Sequence, residues 1–179
     1  INASKVMSTV ATLSNMFIFK NVDKGALQEL CSLAPPVSFH TGVTIFEQAD
    51  ESDVALLLVE GKLGVEIYSA SQRREIGQVN MGEIVGETAL FAREGRRSAS
   101  VRAIESSECL LINQDLLVNA SKNPAVVAIE RHLLGTLARR IRRTNQETSK
   151  IWKEYSVHSP TAANSDSFIS RLKNIFGGR

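Results

Sequence analysis

The chain has 179 residues, with 21 lysines and arginines against 19 aspartates and glutamates, for a formal charge of +2. That is one domain of ordinary size plus an appendage, and so even a balance gives no argument for nucleic acid or an anionic membrane as the default partner. Its two cysteines sit in the apolar settings LQELCSL and SECLLIN without CxxC spacing, and no apolar run nears the roughly 20 residues of a bilayer span.

Cys31 and Cys109 are therefore expected to be buried free thiols, which fits a reducing, cytoplasmic setting. The first residues, INASKVMSTVATL, lack the charged-then-apolar order of a signal peptide, and 1–15 reads as an N-terminal extension. Helical period follows. Met16, Phe17 and Phe19 precede Asp23, a candidate N-cap, and Ala26, Leu27, Leu30 and Leu33 recur at helix spacing until Pro35 and Pro36 end the segment.

To about residue 113 the pattern becomes short β-type runs: VSF, VTIF, VALLLVEG, LGVEIY, EIGQV, SASVRA and ECLLI. Turn-formers Gly42, Asp50, Gly61 and Gly82 separate them. Parallel strands would need longer crossovers, so these runs predict an antiparallel sandwich or small jelly roll. The fold class is mixed α+β, mainly β, with an N-terminal helix and a long C-terminal helix.

That helix is predicted over 124–155, opening at Asn123-Pro124 and reaching about 45 Å at 1.5 Å per residue. Leu134, Leu137, Ile141, Thr144, Thr148, Ile151 and Tyr155 alternate steps of three and four, a coiled-coil seam with a polar centre. A parallel homodimer along this helix is expected; the alternative is that the stripe packs on its own β domain. Residues 156–166 read as a linker. In 167–179, Phe168, Ile169, Leu172, Ile175 and Phe176 share one face of a short amphipathic helix, suited to this protein, an effector protein or, less favoured, a membrane surface.

The stretch that carries chemistry is GEIVGETALFAREGRRSASVRA. Gly86 follows a strand end and allows close backbone approach, while Glu87, Thr88, Ala89 and Leu90 can form one helical turn whose free N–H groups favour an anion. Arg97, on the next strand, offers a fork matched to two phosphate oxygens, with the Ser98 hydroxyl beside it. Glu87 would repel a phosphate at close range but would accept a ribose hydroxyl further out, and the small Ala99 leaves room for a ligand. A sugar joined to a phosphate satisfies all of these. The competing reading makes Glu87 and Arg97 a structural ion pair around a pocket that binds nothing.

With G-E-T-A-L, a loop and then R-S-A-S-V, the stretch resembles the phosphate-binding cassette of the cyclic-nucleotide-binding domain family, and the likeness extends over about residues 16–155. The resemblance implies a jelly roll, cyclic AMP favoured over cyclic GMP as ligand, no other cofactor, and a purine covered by the long helix with Thr144 at the base. It also implies that the chain is a regulatory sensor and not an enzyme. Two departures stand out: a hairpin that usually holds a Gly-Asp pair reads Gln48-Ala49-Asp50, and nothing after Tyr155 has the length of a winged helix-turn-helix, so direct DNA binding is not expected. Arg139, Arg140, Arg142 and Arg143 read as solvated flanks of the seam, and His40, His132 and His158 lack metal-ligand spacing. An enzyme is the rival functional class, against which stands the lack of a nucleophile elbow, a Walker loop or a paired acid and base, and a third class is an adaptor with a degenerate pocket that works through its C-terminal segment.

Overall fold

The computed structural model describes residues 3–69, 72–91 and 95–158. The chain divides into two compact units, Ile1–Leu134 and Gly135–Arg179.

The first unit opens with helix α1 (Ala3–Ser14), a 3-10 turn (Phe17–Phe19) and helix α2 (Lys24–Leu33). Its strands are β1 (Pro36–Phe39), β2 (Thr44–Phe46), β3 (Ala55–Glu60), β4 (Leu63–Ser69), β5 (Gln72–Val79), β6 (Ile84–Val85), β7 (Ser100–Ala103) and β8 (Ser107–Ile112). Between β6 and β7 lies the short helix α3 (Glu87–Phe91), and after β8 come α4 (Gln114–Asn119) and α5 (Pro124–His158). The strands form two four-stranded sheets, ordered β1-β8-β3-β6 and β2-β7-β4-β5. Every described pairing is antiparallel, which is the expected jelly roll.

Strand β3 explains why its sequence is an unbroken apolar run. Leu56 and Leu58 point into the space between the sheets with Leu63, Val79, Val85, Val101, Ala103 and Cys109. Ala55, Leu57 and Val59 point the other way, into a second core shared with the helices. Successive side chains of a strand face opposite sides, so a strand covered on both faces loses the polar half of its alternation. Burying each leucine fully contributes about 1.5–3 kcal/mol of transfer free energy.

The helical layer follows local chemistry. Asp23 caps α2, its carboxylate accepting from the Ala26 N–H at 2.9 Å. Ala26, Leu27, Leu30 and Cys31 are buried, whereas Leu33, expected on that stripe, lies outside it and is exposed. Helix α1 places Val10 and Leu13 in the core, and Lys5 and Thr9 hold Glu108 at 3.2 and 2.7 Å. Asn123 caps α5 through the Ala125 N–H at 2.8 Å and donates to Ala26 O and Glu29 Oε2 at 3.1 and 2.7 Å, while Pro124 takes the first helical position.

In the second unit α5 continues through His158, past the expected start of the linker at 156. Every described side chain from Arg139 to Lys153 is exposed, Thr144 and Thr148 included. Arg143 pairs with Glu147 at 2.9 Å one turn on, and the Arg142 Nε–H donates to Ala138 O. These arginines are occupied along their own helix. The side chain of Tyr155, residues 159–166 and the amphipathic segment 167–179 lie outside the described residues.

Candidate functional site

The site is built where the end of β6, helix α3 and the lead-in to β7 meet the loop between β2 and β3. Gly86 has φ +84°, in the left-handed region that glycine enters without penalty. That turn aims its carbonyl at Arg97, whose Nη1–H donates to Gly86 O at 3.1 Å. A Cβ on residue 86 would stand 2.6 Å from Arg97 Nη1 and 3.0 Å from Phe46 Cε2. Glycine is thus needed twice, for its backbone angle and for the space it leaves.

Arg97 is 5% exposed and held from several sides. Its Nη2 group donates to Ser52 Oγ at 2.5 Å and to Val54 O at 2.6 Å. The Phe46 ring covers one face of the guanidinium, with Cζ 3.5 Å from the ring centroid. Among the described residues the buried Nε–H has no acceptor. Leaving such a donor unsatisfied costs roughly 1–3 kcal/mol. Burial lowers the guanidinium's pKa from its ordinary value, and the carboxylates of Asp53, Asp50 and Glu87 oppose that shift. An electropositive group with an unused N–H is suited to an oxyanion.

Glu87 opens α3 and is 1% exposed, with Thr88 Oγ1 at 3.4 Å from its Oε1. Its field acts on Arg97, so these two residues of one sequence stretch share one electrostatic site. Ala89 and Leu90 are buried beneath the turn, and Gln114 Nε2 donates to Leu90 O at 2.7 Å, anchoring it to α4. Thr88 and Ser98 are exposed, and Ala99 is half-buried beside them. Gly86, Glu87 and Arg97 are therefore brought together, with Thr88, Ser98 and Ala99 at the surface. Thr144 lies on α5 in the second unit and is exposed.

The hairpin that departs from Gly-Asp keeps a tight turn. Ala49 takes φ +73°, a conformation an L side chain rarely adopts, and the Asp50 N–H reaches Glu47 O at 3.3 Å. The turn is held against the cassette by main-chain bonds, Ala49 N–H to Arg97 O and Arg97 N–H to Asp50 O, each 2.9 Å. A one-residue bridge of Glu51 with Arg96 extends the pairing.

Sequence reasoning missed the loop's share in the site. Ser52 and Val54 precede Arg97 by more than 40 residues, and neither shows any local pattern that marks it as an arginine partner. Phe46 reads simply as a strand residue, though its placement over a cation depends on the pairing of β2 with β7.

Residues 36–123 match the family described as the cyclic nucleotide-binding domain. The chain is 27% identical over 145 residues to the CRP-like cAMP-activated global transcriptional regulator of Mycobacterium tuberculosis, covering 78% of this chain and 61% of that protein. It is 34% identical over 108 residues to the cyclic AMP receptor protein of Thermus thermophilus, covering 59% of this chain and 48% of that one. The crystal structure of the Thermus thermophilus catabolite activator protein superposes with a TM-score of 0.63 at 28% identity, covering 75% of this chain and 62% of that one. The chain thus spans less than two thirds of the length of these relatives.

Proposed function

Because the chain belongs to the cyclic nucleotide-binding domain family through residues 36–123, we propose that its cassette captures a cyclic mononucleotide and that the chain acts as a non-catalytic sensor. The observation that carries this reading is Arg97: a buried guanidinium with an unpartnered Nε–H, set against a positive-φ glycine. A cyclic phosphodiester brings one negative charge and two unesterified oxygens, the complement of that group. Glu87 serves as acceptor for the ribose hydroxyl. Gly86, Thr88 and Ala89 provide the turn on which the phosphate rests, and Ser98 and Ala99 border it.

Cyclic AMP is favoured over cyclic GMP, since both relatives above carry cyclic AMP in their names and the resemblance assigns Thr144 to adenine. Occupancy is transmitted only as far as ligand prefers one arrangement of the chain over another. The apolar positions Leu134, Ile141 and Ile151, exposed at seam spacing on α5, support a homodimer that passes the signal to an effector protein. Sedimentation equilibrium checks that assembly; a monomer at tens of micromolar would refute it.

Calorimetry with cyclic AMP and cyclic GMP tests the central claim. Saturable binding is expected, and Arg97→Ala should weaken it by roughly 2–4 kcal/mol through loss of a charge-assisted contact. Glu87→Gln should cost less, because the amide still accepts one bond. Near-native affinity in Arg97→Ala would refute the assignment. Absence of heat and of thermal shift with any cyclic nucleotide would leave the adaptor reading.

A further inference from the structure

We propose that Ser52 is a positioning residue, setting the orientation in which Arg97 meets the ligand phosphate. The proposal rests on the reading of Arg97 as the phosphate-binding residue. Ser52 meets the cassette at two points: its N–H donates to Gly95 O at 2.9 Å, and its hydroxyl accepts from Arg97 Nη2 at 2.5 Å. One residue of the β2–β3 loop thus holds both the approach to Arg97 and the end of its side chain.

The geometry divides the work. An arginine side chain has several rotatable bonds, and the loss of rotamer freedom opposes its being fixed. The Phe46 ring, 3.5 Å from Cζ, sets the plane of the guanidinium but leaves it free to turn within that plane. Ser52 Oγ, with Val54 O at 2.6 Å, stops that turn from one end, and Gly86 O holds Nη1. Of the five guanidinium N–H groups these three bonds leave one Nη1–H and the Nε–H, and the buried Nε–H has no acceptor among the described residues. Positioning fixes where that unused donor points.

The chemistry of the anchor matters as well as its place. Ser52 Oγ, Val54 O and Gly86 O are all neutral acceptors. A carboxylate in the same position would bond more strongly but would neutralise the cation in advance of the ligand. A hydroxyl orients the guanidinium and leaves its charge for a monoanionic phosphate.

The test uses the full chain, with calorimetry against cyclic AMP and NMR of the Arg97 Nε–H. Ser52→Ala should weaken binding about tenfold, with ligand-free melting within about 2 °C of wild type. Ser52→Thr, which restores a hydroxyl, should recover affinity to within about threefold. In the Arg97→Ala background, Ser52→Ala should change affinity less than about twofold, because the residue acts through the arginine. In the ligand-free protein Ser52→Ala should also speed exchange of the Nε–H with solvent.

Equal losses in both backgrounds, or failure of threonine to rescue, would overturn the proposal in favour of a general structural role. An Nε–H signal unchanged by Ser52→Ala would overturn it without recourse to ligand. A wild-type chain that binds no cyclic nucleotide would instead remove the reading of the pocket on which the proposal stands.

Discussion

Replacing Gly86 with alanine puts a methyl group where Arg97 already lies. At φ +84° an L residue costs about 1–2 kcal/mol in backbone energy, offset by roughly 0.4–1 kcal/mol from the stiffer unfolded chain. Steric crowding costs more. The new Cβ would sit 2.6 Å from Arg97 Nη1, 3.0 Å from Phe46 Cε2 and 3.3 Å from Val54 O, against ordinary contacts of about 3.5–4.0 Å. Phe46 and the Val54 main chain are held by the sheets, so the guanidinium is the group that yields, giving up its bond to Gly86 O. Together these amount to about 2–3 kcal/mol of lost stability, or a melting temperature lower by roughly 5–10 °C. Thermal unfolding followed by circular dichroism reads the first consequence. Calorimetry with cyclic AMP reads the second, a loss of affinity comparable to that of Arg97→Ala. Melting within about 1 °C of wild type together with unchanged affinity would refute the idea that this turn and Arg97 share one space.

Ala49→Gly is the converse experiment: relief of φ +73° should outweigh the added unfolded-state freedom and raise stability by about 0.5–1 kcal/mol, and a lower denaturant midpoint would contradict it. Asn123→Ala removes the cap of α5 and strips partners from Ala26 O and Glu29, so a loss of about 2–4 kcal/mol is expected in urea unfolding, and less than about 0.5 kcal/mol would show the network to be dispensable. Burial, reinforced by the Glu108 carboxylate, pushes the Cys31 thiol up to about 11 and Cys109 to about 12, against 9.0 for a free thiol. Because the folded values lie above the unfolded one, the thiols' contribution is complete below pH 9 and is lost as pH rises towards those folded values. Each should lower stability by about 1.4 kcal/mol per pH unit in its window. Urea midpoints measured from pH 8 to 11 should fall less steeply in Cys109→Ala than in wild type, and equal slopes would count against this account.

Much of the fold was legible because the signals are local. The strand runs, the Asp23 cap, the Pro35-Pro36 stop and the Asn123-Pro124 start each depend on a few neighbouring residues, and each appears in the structure close to where period and capping chemistry put it. Elements with weak local signals were not anticipated. Helix α1 is helical because Val10 and Leu13 find a core to enter, and the short α4 because Leu116 and Leu117 do. Leu33 shows the reverse case, a residue with the right spacing at a helix end where nothing lies opposite to cover it.

The cassette divides along the same line. The types and order of Gly86, Glu87 and Arg97 already carry the proposal of an anion site with an acid beside it, since a left-handed turn, a carboxylate and a guanidinium are properties of single residues. How Arg97 is held was decided only by tertiary structure. Ser52, Val54 and Phe46 reach it from strand β2 and the loop that follows, across contacts between residues more than 40 apart in the chain. Sequence alone determined the turn and the charges of the cassette; the packing of the β2–β3 loop against the lead-in to β7 decided how the Arg97 guanidinium and its buried Nε–H are held, because orientation depends on partners that no local pattern encodes.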